Sequence, residues 1–295
     1  MSTDRLPPAA MYPAGIPEVP ARFVVLSSGI RVRIAESGPA AGPPVLLLHG
    51  WAASLFTYRH LVPALAQAGY RAIALDFRGH GLSDKPVDAS AGFTSETLVA
   101  DVLALLDALA LDRADVIGHS MGGAVALQLA VRHPGRVSRL VLVNPAGLTR
   151  IWWRDLAAIV TPRMLDAFAP GLTPRWLVRL VLRWTYAKPD RLSERDVDQY
   201  WAPSQFSGYF HAARLLLRNF GWRPLPDVAL GELRAPALVL IGADDRVIPN
   251  GLRGAQRLKD AELVVIADSG HLCIEERPDE ANAVIARFLR AQPAA

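Results

Sequence analysis

Six short apolar runs, each ending at small or polar residues, constrain this chain more than any other feature: "PPVLLLHG", "YRAIALDFRG", "ADVIGHS", "SRLVLVNP", "APALVLIGADD" and "AELVVIADSGH". Continuous apolar runs of this length read as strands buried on both faces rather than as alternating half-exposed ones. Helix-length patterns such as "SETLVADVLALLDALA" and "MGGAVALQLAVRHP" separate most of them. The alternation predicts an α/β fold with a mostly parallel sheet covered by helices on both sides. Two further strand-like stretches, "RFVVLS" and "IRVRIAES", precede the series. At 295 residues and 51% hydrophobic content, the chain can bury the large core such a sheet requires.

The alternation breaks between Asn144 and about Arg234, where only helical or irregular segments occur. This predicts an insertion at a strand's carboxyl end, where open α/β sheets bind ligands, placed to roof a site. The expected organisation is a Pro-rich N-terminal arm over 1–21, a core over 22–146 and 234–295, and a helical cap over 147–233.

Composition narrows the function. No run of about 18 uncharged apolar residues occurs, and the N-terminal stretch carries prolines where a signal peptide needs an apolar helix. With one cysteine, Cys273, no internal disulfide can form, and no Cys/His spacing matches a metal site. A cytoplasmic protein without bound metal is expected. The net charge of +4 contains no Lys/Arg run of the kind that marks nucleic-acid binding, so nucleic acid is not an expected partner. Between Arg150 and Arg223, however, twelve Lys/Arg stand against six Asp/Glu.

The chemistry centres on "GHSMG", Gly118 to Gly122, at the junction of a strand and a helix. A sharp turn there holds a serine in a strained conformation with its hydroxyl presented, and the glycines two residues to either side face backbone that a Cβ would strike. Ser120 is the expected nucleophile. A hydroxyl needs a base, and the base needs an acid to fix its tautomer. His271 follows the last strand and reaches the same sheet edge. Asp244 and Asp245 follow another strand end: Asp245, directly before "RVIP", is preferred, with Asp244 as the alternative or as a turn carboxylate. The backbone N–H groups of Trp51, in "HGWAAS", and Met121 are the expected oxyanion donors. His49 is read as a buried, locally bonded turn residue, His119 as pointing away from the serine, and Cys273 as a buried structural thiol.

Together "LLLHGW", "LDFRGHGLSDKP", "GHSMGG", "LVNPAG", "GADDRVIP" and "DSGH" resemble the α/β-hydrolase fold superfamily, in its serine esterase and lipase-like branch. The resemblance spans about Arg22 to Leu289. It implies an eight-stranded, mostly parallel sheet, a helical cap after the sixth strand, no cofactor, and a Ser120–His271–Asp245 triad. Haloalkane dehalogenases and epoxide hydrolases of this superfamily carry an aspartate where this chain has Ser120. Carbon–carbon bond hydrolases tend to carry a longer Gly/Pro-rich oxyanion loop and an asparagine where this chain has His119. A carboxylesterase is therefore expected, with a carbon–carbon or lactone hydrolase as the alternative and a slow-turnover ligand sensor as the second.

Six of the seven tryptophans fall in the insertion, among them Trp152 and Trp153, which with Trp51 are the expected substrate contacts. Their density predicts an apolar pocket for an acyl or aromatic group. "PRWLVRLVLRWTYAKP" places Arg175, Arg179 and Arg183 four apart among apolar residues. That is a basic amphipathic helix, which either packs its apolar face on the core or contacts a lipid surface. Oligomeric state is not legible.

Overall fold

The structure, a computed structural model, describes residue 7 and residues 19–86, 92–151 and 173–291. Eight strands form one sheet: β1 (Ala21–Val25), β2 (Arg31–Ser37), β3 (Pro44–Leu48), β4 (Arg71–Leu75), β5 (Ala114–His119), β6 (Val137–Val143), β7 (Ala237–Gly242) and β8 (Glu262–Ile266). Each lies within or directly beside a run anticipated from sequence. Their order in the sheet is β1-β2-β4-β3-β5-β6-β7-β8, with β2 antiparallel to both neighbours and every other pair parallel.

Helices α1 (Leu61–Gln67), α2 (Ser95–Ala108) and α3 (Met121–Arg132) connect the first strands. After β6 come α4 (Arg175–Thr185), α5 (Glu194–Trp201), α6 (Tyr209–Asn219) and α7 (Asp227–Leu230). Helices α8 (Gly251–Ala255), α9 (Cys273–Glu276) and α10 (Pro278–Arg290) complete the chain. Among the described residues between Asn144 and Arg234 there is no strand.

Side-chain alternation along the strands builds two cores. In β3, Leu46 and Leu48 pack with α2 and α3 on one face, while Val45 and Leu47 pack with α1 and α10 on the other. Strand β7 divides likewise, Val239 and Ile241 against Leu238 and Leu240. The period of two on a strand covered twice explains why these runs are apolar at every position. Thr94 caps α2, its hydroxyl accepting from the Thr97 N–H at 3.2 Å and satisfying an amide the helix leaves open.

The topology also fixes where a ligand can sit. From β3 the chain steps to β4 on one side, then returns past β3 to β5 on the other. The loops leaving β3 and β5 therefore diverge, and a crevice opens between them at the carboxyl ends. Trp51 and Ser120 lie at that point.

Candidate active site

Ser120 follows the last residue of β5 and precedes the first of α3, with φ 53° and ψ −115°. A non-glycine residue at positive φ is held there only by its surroundings. Its N–H donates to the Val143 carbonyl at 3.0 Å, and its own carbonyl accepts from Gly123, Ala124 and Ala146. The flanking glycines are required sterically: a Cβ on Gly118 would lie 2.3 Å from the Gly122 oxygen, and one on Gly122 would lie 2.0 Å from the Leu48 oxygen. Met121, the first residue of α3, contributes one of the helix's opening N–H groups, which lack an intrahelical acceptor.

His271 and Asp245 meet 2.9 Å apart through Nδ1 and Oδ2. The second oxygen of Asp245 accepts from the N–H groups of Val247 and Ile248, at 2.8 and 3.0 Å. Burial alone would raise the Asp245 pKa, but the attraction of His271 and these hydrogen bonds hold it below the ordinary value. An ionised Asp245 accepts only, so His271 Nδ1 carries the proton in this contact. Asp244 is exposed, and the contact with His271 is made by Asp245. Ser120, His271 and Trp51 line one cavity of about 450 Å³.

Trp51 reaches across that cavity: its indole N–H donates to the Ala213 carbonyl of α6 at 2.9 Å. The loop behind it is held by residues the sequence reading did not single out. Ala52, at φ 59°, donates its N–H to His80 Nε2 at 3.2 Å. Buried Asp76 accepts from the Leu55 and Leu82 N–H groups and pairs with Arg33 at 3.1 Å. Asp76 and His80 belong to the "LDFRGHG" stretch, whose polar residues inside an apolar context were the available signal. His49 is buried and bonded as anticipated, with Nδ1 donating to the Gly50 carbonyl at 2.7 Å and Nε2 accepting from the Phe77 N–H at 3.1 Å. Burial lowers its pKa despite the nearby Asp76.

His119 contacts the loop that carries His271. It lines the same cavity as Ser120, and its ring packs against that of His271 with centroids 4.9 Å apart. Its Nε2 lies 2.8 Å from the His271 carbonyl, which can only accept, so Nε2 carries the proton. Burial first, and then the neighbouring His271, lower its pKa to about 3. The His271 loop folds over the end of β5 and meets the ring. Cys273 is fully buried, 3.8 Å from Asn144 Oδ1, and burial raises its pKa.

The roof of the cavity is largely apolar. Leu177, Val178, Val181, Leu182 and Trp184 of α4 line it, together with Tyr209, Phe210 and Leu217 of α6. Of its lining residues helix α4 buries only Leu182; Leu177, Val181 and Trp184 are exposed, as are Trp176 and Leu180 outside the cavity. Its arginines are not simply hydrated: Arg175 bonds Asp198 at 2.6 Å and Glu194 at 2.8 Å, and Arg179 pairs with the same Glu194. Trp152 and Trp153 lie outside the described residues. Among those residues, no His/Cys/Asp/Glu group has the arrangement to hold a metal, and no helix is long and apolar enough to cross a membrane.

Comparison with known proteins identifies the fold family. The sequence profile of the alpha/beta hydrolase fold matches residues 43–278. A 2-hydroxymuconate semialdehyde hydrolase of Pseudomonas sp. (strain CF600) is 31% identical over 92% of this chain and 94% of that protein. Epoxide hydrolase A of Mycobacterium tuberculosis is 27% identical over 92% and 97%. Among solved structures, a 2-hydroxy-6-oxo-6-phenylhexa-2,4-dienoate hydrolase from Rhodococcus sp. strain RHA1 superposes with a TM-score of 0.77 at 24% identity, covering 92% and 100%. The eight-stranded sheet, the strained serine between β5 and α3, and the profile match over most of the chain place this protein in the alpha/beta hydrolase fold family.

Proposed function

We propose that the protein is a serine hydrolase of carboxylic esters with an apolar acyl or aromatic group. The observation that carries this reading is Ser120 in a strained turn on the same cavity as His271, whose Nδ1 is taken up by Asp245. In the proposed reaction Ser120 Oγ attacks the ester carbonyl while His271 Nε2 takes its proton. The developing oxyanion is met by the N–H groups of Trp51 and Met121, each worth about 3 to 4 kcal/mol in sites of this kind. The C–O bond then breaks, and His271 returns the proton to the departing alcohol. Water, deprotonated by the same nitrogen, attacks the acyl-enzyme and frees the acid.

Epoxide opening, the activity named for one relative, fits this elbow poorly. A carboxylate attacking an epoxide carbon forms an ester that water can cleave. A serine forms an ether that water cannot.

A second reading, cleavage of a carbon–carbon bond by the same residues, is favoured by the 31% identical hydrolase, which aligns over nearly its whole length. Turnover of p-nitrophenyl esters of graded acyl length against ring-cleavage dienoates, which lose their colour when cut, separates the two. Ester turnover with loss of activity in Ser120→Ala is expected. Parent-rate activity in that variant sinks the nucleophile assignment, and dienoate turnover alone replaces the ester reading with the second.

A further inference from the structure

The loop that carries His271 is held from two sides, and Glu276 joins them. Glu276 ends α9, five residues after the histidine, and is 5% exposed. Its Oε1 accepts from the Gly270 N–H at 2.6 Å, next to His271. Its Oε2 accepts from the N–H groups of Ala187 and Lys188, at 2.8 and 3.2 Å, in the turn that follows α4. The same turn reaches the histidine directly, since the His271 N–H donates to the Thr185 carbonyl at 2.9 Å. The approach is close enough to demand glycine at position 270, where a Cβ would lie 2.4 Å from the Thr185 oxygen and 2.8 Å from the Ala187 nitrogen. A carboxylate suits this junction because each of its two oxygens accepts and can serve a different segment.

We propose that Glu276 is a positioning residue that clamps the His271 loop to the Thr185–Lys188 turn and so sets the imidazole's place over Ser120. The inference rests on the proposed triad. Buried carboxylates that receive several N–H groups fix backbone geometry, and a misplacement of about 1 Å in a catalytic group can cost on the order of a hundredfold in rate.

Glu276→Gln tests the clamp, because an amide keeps the shape but turns one acceptor into a donor facing an N–H. The readouts are the rate of labelling by a fluorophosphonate probe, which needs the serine and its base but no knowledge of the substrate, and kcat and KM on a p-nitrophenyl ester. In folded protein, checked by circular dichroism, labelling and kcat are expected to fall by roughly 10- to 100-fold while KM moves by less than about threefold. Glu276→Asp, one methylene shorter, cannot span both segments and is expected to stay slow. It also serves should the glutamine variant not fold. Labelling within twofold of the parent in Glu276→Gln overturns the proposal, as does full restoration by aspartate, which would mean that charge alone matters. Ser120→Ala separates the premises: if it is labelled at the parent rate the triad reading fails, whereas if it is unlabelled and Glu276→Gln reacts normally, only the clamp fails.

Discussion

At Ser120, local stability and proposed chemistry pull against each other. Its φ of 53° is a conformation that costs a non-glycine residue about 1 to 3 kcal/mol. Ser120→Gly is therefore expected to raise the unfolding free energy by on the order of 1 kcal/mol while abolishing turnover, read from paired urea titrations and ester assays. A variant that is both inactive and less stable would mean that the turn is not strained. Asp245→Asn makes a second test at this scale. The amide can present its N–H to His271 Nδ1 and so favour the tautomer with the proton on the wrong nitrogen. A fall in kcat on the order of a thousandfold or more is expected, with little change in the thermal midpoint. His119 shows what the sequence did not disclose, because its role depends on a loop more than 150 residues away folding onto it.

Between elements, the described cap helices are tied to the core through a buried charge network rather than by apolar contact alone. Arg59, just ahead of α1, pairs with Asp196 of α5 and Glu275 of α9, both at 2.7 Å. Glu275 also accepts from Tyr200 at 2.5 Å and from Tyr186 at 3.1 Å. Burial raises the pKa of Glu275 even though Arg59 opposes it. Removing Arg59 leaves two carboxylates facing each other without a counter-ion. Arg59→Ala should then cost about 3 to 5 kcal/mol of unfolding free energy. A loss under 1 kcal/mol by urea titration would mean that water reaches this network. None of it was legible in the sequence: scattered single charges in helical segments read as a solvated surface until the chain is folded.

For the whole molecule, β3 to β8 were legible because a strand covered on both faces is largely apolar and small or polar residues mark its end, whereas β1 and β2, with exposed positions and charged residues, showed only as strand-like stretches ahead of the series. The proposed triad was read from the same ends, since Ser120, Asp245 and His271 all stand past β-strands that terminate on one edge of the sheet. Polar residues inside the fold were not legible, and Asp115 is an example with a measurable consequence. It sits in β5, where burial raises its pKa to about 6 against the partial opposition of Arg139, 3.8 Å away. Its unfolded value is 3.8, so the unfolded chain gives up this proton first as pH rises, and folding is penalised progressively from about pH 4. Above about pH 6 the penalty is complete, on the order of 2 to 3 kcal/mol. Asp115→Asn should recover much of it at pH 7.5 and almost none at pH 4, and equal effects at both pH values would sink the assignment. The contact of the Thr185 carbonyl with the His271 N–H carries a different lesson, for recombination. A chimera that exchanges the segment between β6 and β7 as a unit also exchanges a backbone support of the base. Grafts whose crossover lies after Lys188 should keep working more often than those whose crossover lies before Thr185.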